Sequence, residues 1–196
     1  MTSENGHDVR RRRTHEAILA AAARLFETQG FAGTTVAEVA RAADVSERTF
    51  YLHFPTKEDL LFDHVHEFTV LAWRIAEGSR APAATTRVDA AVRALVEAAT
   101  SDAALVAQAR ARAALGGSGR VPASLTVRLA TLVAGLADRV AHGTRSPLRD
   151  VAPMVGAAVG AVEGAGLALA RETDDPVALR EGMLAALEAA LAGFRG

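Results

Sequence analysis

The chain has 196 residues, half of them hydrophobic, with 22 basic and 23 acidic side chains and a formal charge of −1. That length fits one large or two small domains with a real core. The even charge balance gives no bulk argument for nucleic acid, and the absence of cysteine excludes a disulfide framework and thiolate chemistry. Alanine supplies much of the hydrophobic fraction and favours helix, aromatics are few and β-branched runs are short, so the expected class is all-α. The opening MTSENGHDVRRRR lacks the apolar stretch of a signal peptide. No uncharged apolar run reaches a membrane span; residues 151–170 come closest, and Glu163 and several glycines there fit a buried helix. The expectation is a soluble, cytoplasmic protein without a membrane partner.

Arg10 to Arg13 form a basic run ahead of the first helix, and residues 1–13 are expected to be a flexible arm. By itself such a run is as readily a solvated tail as a contact surface. The first helix is predicted from Thr14 to Gln29, with Ile18, Ala22, Leu25 and Phe26 as its apolar stripe and Gly30 at its C-terminal turn. Thr35 and Glu38 have capping-box spacing, and Val36, Val39, Ala40 and Ala43 continue at helical period. Asp44-Val45-Ser46 breaks that pattern, and Ser46 can cap a short third helix. In it Phe50 and Phe54 lie one turn apart and face a core. Glu47, Arg48, Tyr51 and Leu52 fall on the other face. Two short helices joined by a few residues, the second with a polar outer face, form a helix-turn-helix.

The run resembles the DNA-binding domain of the TetR family of bacterial transcriptional regulators. The residues that carry the resemblance are Gly30-Phe31, Thr34-Thr35-Val36, Val39-Ala40, Val45-Ser46, Thr49-Phe50-Tyr51, His53-Phe54 and Lys57-Glu58-Asp59-Leu60. They cover roughly the first third of the chain. Beyond them the likeness is one of helical character alone.

A fourth helix is predicted from Pro55-Thr56, with Thr56 and Asp59 as a second capping pair and Leu61, Val65, Phe68, Ala72 and Ile75 as its stripe, to Glu77. Thr86 and Asp89 are expected to cap a fifth helix ending near Thr100. Ser101 or Asp102 starts a sixth, ending near Gly116-Gly117, and Gly116–Gly119 is a linker. Pro122 opens a seventh helix to His142, Asp150 and Pro153 lead into an eighth to Glu172, and Asp175-Pro176 starts a ninth to Phe194. Three plus about six helices match the family's architecture. The predicted organisation is therefore an arm (1–13), a three-helix helix-turn-helix domain (14–55), and a C-terminal helical ligand-binding and dimerisation domain (56–196).

A helix-turn-helix dimer reads two half-sites of a pseudo-palindromic operator. Thr35 and Ser46 sit at helix N-termini, where N–H groups attract phosphate. Arg48 is the candidate for base reading, since its guanidinium can bond guanine O6 and N7 together. Glu47 is a solvated residue or a cytosine acceptor, and Thr49 is divided between groove and packing. The resemblance implies that Tyr51, His53 and Lys57 contact the DNA backbone. Lys57, the only lysine, is expected in the first turn of the fourth helix, where its charge opposes the local dipole unless a phosphate lies between. Beside a helix-turn-helix, Arg12 and Arg13 become candidates for phosphate or minor-groove contact.

The resemblance also implies a small effector bound within helices four to eight. Phe68, Leu71, Trp73, Leu105, Leu129, Val133 and Met154 are candidate lining, each equally readable as plain core. Arg110, Arg112 and Glu163 are candidate polar groups. Arg110 and Arg112 are two apart, so at most one faces inward. The prevalence of Ala and Leu suggests an apolar effector. Gly156, Gly160 and Gly164 recur every four residues, a spacing that lets helix backbones approach. With Leu184, Leu187 and Leu191 they are read as a homodimer face, pairing helices eight and nine with their copies; packing within one subunit is the alternative.

Catalysis and metal binding find no support. His64 and His66 are two apart and point away from each other, and without cysteine zinc is improbable. Gly116-Gly117-Ser118-Gly119 lacks the spacing and the Lys-Ser/Thr pair of a phosphate loop. The expected function is a dimeric repressor, not an enzyme, released from DNA by a small molecule, with no cofactor. The competing reading is a helical ligand-binding or scaffolding protein with a vestigial helix-turn-helix.

Overall fold

The computed structural model describes residues 6–101, 103–116 and 123–195. The chain divides into two compact units, 1–61 and 62–196. Among the described residues there are nine α-helices and no strand. Asp102, Gly117–Gly119 and Pro122, expected as helix start, linker and helix start, lie outside the described residues.

In the first unit α1 spans Gly6–Gly33, α2 Val36–Ala42 and α3 Glu47–His53. The N-terminus corrects the sequence reading. Arg10 to Arg13 are not an arm; they lie in turns of α1, exposed to solvent, and Arg12 is 4.0 Å from Glu16 one turn on. Gly30 interrupts α1 at φ 74°, ψ 162°, a conformation that strains any residue with a Cβ. Thr35 then closes the expected capping box. Its hydroxyl accepts from the Glu38 N–H, and the Glu38 carboxylate accepts from the Thr35 N–H at 2.8 Å.

The turn between α2 and α3 has a defined hydrogen-bond logic. Asp44 adopts φ 56°, which Asp tolerates better than most residues. The N–H groups of Asp44 and Val45 donate to the carbonyls of Arg41 and Ala40. That is the Schellman pattern, and it satisfies two end carbonyls of α2. Ser46 accepts from the Thr49 N–H at 3.0 Å and starts α3. Phe50 and Phe54 are fully buried, packed with Ile18, Ala21, Ala22, Val39 and Ala40. The imidazole of His15 stacks on Phe54.

The predicted long fourth helix is shorter. Thr56 and Asp59 do cap a helix, but it is a 3₁₀ turn, Glu58–Phe62; α4 runs from His64 to Gly78. Then follow α5 (Ala84–Ala99), α6 (Ala103–Gly116), α7 (Ala123–Thr144), α8 (Leu148–Leu169) and α9 (Pro176–Ala192). Two expected caps differ. Helix α5 begins at Ala84 without a side-chain cap, and Asp89 instead takes Arg93 at 2.8 Å. Pro153 lies inside α8, whose first residue is Leu148. The Asp175 cap is as expected, accepting from the Val177 N–H.

Helix α8 packs against α5, α6, α7 and α9. Its Val151, Val155, Ala158, Val159 and Val162 enter a core with Val88, Val92, Leu136, Leu187 and Leu191. By length and composition alone α8 could cross a membrane, but this face is the hydrophobic wall of the second unit's core. Close approaches fix the packing: a Cβ at Gly135 of α7 would overlap the Trp73 ring on α4, and one at Gly182 of α9 would overlap Leu169 at the end of α8.

Candidate nucleic-acid interface and effector cavity

The polar face of α3 stands clear of the core because the two phenylalanines on its other side are anchored. Tyr51 is 51% and Leu52 70% exposed, and Glu47 and Arg48 are exposed beside them. Tyr51 packs edge-on against Phe50, which steadies a large polar side chain at the surface. Thr49 is half-buried and its hydroxyl lies 2.8 Å from that of Ser46, so both are engaged in capping. Thr35 is likewise engaged, and Glu38 places a carboxylate over the N-terminus of α2. The hydrogen bonds from Thr35 hold that carboxyl below its ordinary range. His53 lies 5.7 Å from His15, ring to ring. Burial first, and then the positive fields of His15 and Arg11, lower its pKa.

Lys57 differs most from its expected setting. It precedes the 3₁₀ turn and lies outside α4. Its ammonium donates to the carbonyls of Phe31 (2.9 Å) and Thr34 (2.8 Å) and sits 4.3 Å from the Phe31 ring centroid. The helix-dipole argument for a phosphate therefore falls: the charge is already set against the turn between α1 and α2. The sequence held no local signal for this, because the partners are 26 and 23 positions away.

The second unit contains a cavity of about 80 Å³. Of the expected lining, Phe68, Leu129 and Glu163 border it; Val92, Leu95, Leu132, Val159, Val162 and Met183 complete much of the apolar wall. The remaining candidates are elsewhere. Trp73 lies against α7, its Nε1 3.5 Å from the Leu132 carbonyl and its ring 4.0 Å from the Arg139 guanidinium. Met154 is buried in the main core, with Val133 packed against that core. Leu71 and Leu105 are half-buried away from the cavity. Arg110 faces outward, 3.2 Å from Asp174. Of the two arginines it is Arg112 that turns in, with Nη1 2.6 Å from His64 Nε2.

His64 is a cavity residue that the sequence reading weighed only as a metal ligand. It lies one turn before Phe68 on α4, and the two rings meet edge to face at 4.9 Å. That i, i+4 relation to an expected lining residue was the available signal. Burial first, then the charges of Arg112 and Arg128, push its pKa down to about 3, against the opposing pull of Asp63 and a hydrogen bond that the protonated ring donates to Gln108. The imidazole is therefore neutral near pH 7 and accepts from Arg112. Burial lowers the Arg112 pKa, while Glu163 favours its charge.

The expected dimer face also needs correction. Leu187 and Leu191 are fully buried in the core of the second unit, and Leu184 packs against the same core. The glycines behave differently. Gly160 and Gly164 are exposed, Gly156 is half-buried, and nothing lies within 4 Å of a Cβ built on any of them.

Residues 18–63 match the family model for bacterial regulatory proteins of the tetR family. Over this segment the chain carries the helix-turn-helix sequence of tetR-family regulators. It is 39% identical over 62 residues to the transcriptional regulator TcmR of Streptomyces glaucescens, covering 30% of this chain and 27% of that protein. It is 51% identical over 45 residues to the regulator EthR of Mycolicibacterium smegmatis, covering 23% and 21%. The likeness thus spans about a quarter of these relatives' lengths. Over the whole chain the tetR-family fold is shared with solved structures. A TetR regulator from Rhodococcus sp. RHA1 superimposes with a TM-score of 0.64 at 16% identity, covering 93% of this chain and 98% of that one. The repressor FadR of Thermus thermophilus, solved with lauroyl-CoA, gives 0.58 at 24%, covering 93% and 95%.

Proposed function

We propose that this chain is a dimeric, sequence-specific DNA-binding repressor of the tetR family that a small molecule releases from a pseudo-palindromic operator. The observation that carries the reading is α3: two buried phenylalanines on one side, and Glu47, Arg48, Tyr51 and Leu52 exposed on the other. Such a helix, braced by α1 and α2, is the element that enters a major groove. Arg48 reads a base and Leu52 meets a thymine methyl. Tyr51, His53, Arg12 and Arg13 address phosphate, which positions the domain without specifying sequence. The named relatives are transcriptional regulators rather than enzymes.

For dimerisation, the open glycine face of α8 is the better candidate, with the α9 leucines supporting it from inside. For release, the effector occupies the cavity beside α4. The 3₁₀ turn at Glu58–Phe62 joins that helix in sequence to the DNA-binding segment. The solved FadR complex with lauroyl-CoA supports effector binding in this fold. An effector acts only through different affinities for the DNA-competent and DNA-incompetent states. A bacterial regulator of this kind works in the cytoplasm.

Selection of sites from a random duplex pool by the purified protein tests the reading. A recovered pseudo-palindrome, bound with steep salt dependence, is the expected result. Recovery of no common sequence at modest salt would favour the vestigial helix-turn-helix and overturn it.

A further inference from the structure

One face of α1, beside the end of α3, carries a basic cluster drawn from two elements. Arg11 and His15 are one turn apart on α1 and share a face. His53 stands in the last turn of α3, its ring 5.7 Å from that of His15 and tilted by 46°. The His15 ring is stacked at 4.6 Å on the fully buried Phe54, which fixes its place. Both imidazoles are half-buried and Arg11 is exposed. Glu16, the acidic neighbour of His15 in sequence, is set 4.0 Å from Arg12.

The charged groups that act on His53 are both basic and both come from α1. Burial first, then His15 and Arg11, favour its neutral ring. Two imidazoles this close titrate as a unit, so a proton taken up belongs to the pair. A phosphodiester set against His53 changes the local balance. Its negative charge offsets Arg11, and an opposite charge within about 4–6 Å favours the protonated ring. One proton is then accommodated, while a second is opposed by the first. We infer that Arg11 and His53 together hold one phosphate of the DNA backbone, and that its arrival brings one proton from solvent onto the His15–His53 pair. This rests on the reading above that the first unit binds DNA. It adds Arg11 as a contact and His15 as the group through which His53 responds to pH. Because the complex binds more protons than the free protein, affinity rises as pH falls.

Calorimetric titration of the full chain with a mixed-sequence duplex of about three helical turns, at low salt and pH 7 in two phosphate-free buffers of different ionisation enthalpy, counts the protons exchanged. Uptake of about half a proton per bound chain is expected, falling at least threefold in His53→Gln and in His15→Gln. The parent count needs no variant to fold. Arg11→Gln, an exposed change that leaves both rings in place, should weaken binding at pH 8 by about threefold or more. Proton release, no uptake by the parent, or parent-like uptake in the folded histidine variants would each overturn the inference. Parent-like affinity of Arg11→Gln would remove the arginine and overturn the site as drawn. Salt-dependent duplex binding without proton uptake refutes this site alone; no duplex binding at any pH refutes the regulatory reading with it.

Discussion

Replacing Lys57 with methionine keeps the aliphatic stem and removes the ammonium that joins two carbonyls of the α1–α2 turn. Two hydrogen bonds from a charged donor contribute about 1.5–3 kcal/mol each when well buried. Lys57 is only half-buried, so solvent screening reduces that sum, and the ring contact adds about 0.5–1 kcal/mol. A loss of about 2–3 kcal/mol is expected, confined to the first unit. Hydrogen exchange read by mass spectrometry resolves the units separately. The slowest amides of residues 6–61 should exchange about 30- to 160-fold faster in Lys57→Met, with those of residues 62–195 unchanged. A phosphate contact predicts something else: unchanged exchange, and a salt dependence of DNA binding flattened by about one charge. That pair of results would refute the structural assignment.

Three further outcomes follow from other parts of the molecule. Arg48→Ala should relax operator preference by about 1–3 kcal/mol at one base position; an unchanged preference in a competition titration removes Arg48 as a reader. Gly135→Ala drives a methyl into the Trp73 ring and should cost about 1–3 kcal/mol. The shift would appear in chemical denaturation followed by the fluorescence of this single tryptophan, and parent-like stability would contradict the packing. His64, lowered in the folded protein to about 3, takes up a proton on unfolding below its ordinary value of about 6.5. Since the unfolded state binds more protons in that window, stability falls as pH drops from about 6.5 toward 3, by up to about 1.4 kcal/mol per pH unit. His64→Gln should show a shallower fall between pH 7 and 5 in urea titrations; equal slopes would place the acid sensitivity elsewhere.

The elements that were legible in the sequence are those whose causes lie within a turn or two of the chain. The Thr35–Glu38 box, the Ser46 cap, the Asp175 cap and the Phe50–Phe54 pair depend on partners two to four positions away. They read correctly because helical spacing turns such short separations into contact. For the same reason the helix-turn-helix and its exposed face were visible before any tertiary contact was considered. Even locally, however, helix boundaries shifted. Capping spacing at Thr56 and Asp59 is compatible with a 3₁₀ turn as well as an α-helix, and an arginine run extends a helix as readily as it leaves a tail.

Which side of a helix a residue faces in the second unit was decided by tertiary packing. Arg110 and Arg112 share a helix and a side-chain type, yet one pairs with Asp174 at the surface and the other meets His64, 48 positions away. Leu187 and Leu191 are buried against α8 and its neighbours, while the glycines of α8 remain open. In a helix rich in alanine and leucine the apolar pattern is broad, so it marks several faces as equally fit for burial. The sequence alone determined the helical class and the helix-turn-helix segment, because both arise from short-range spacing. Only the assembled helices chose which apolar face closed the core, which glycines stayed exposed, and which arginine met the cavity, because those choices depend on the shapes of neighbours far along the chain.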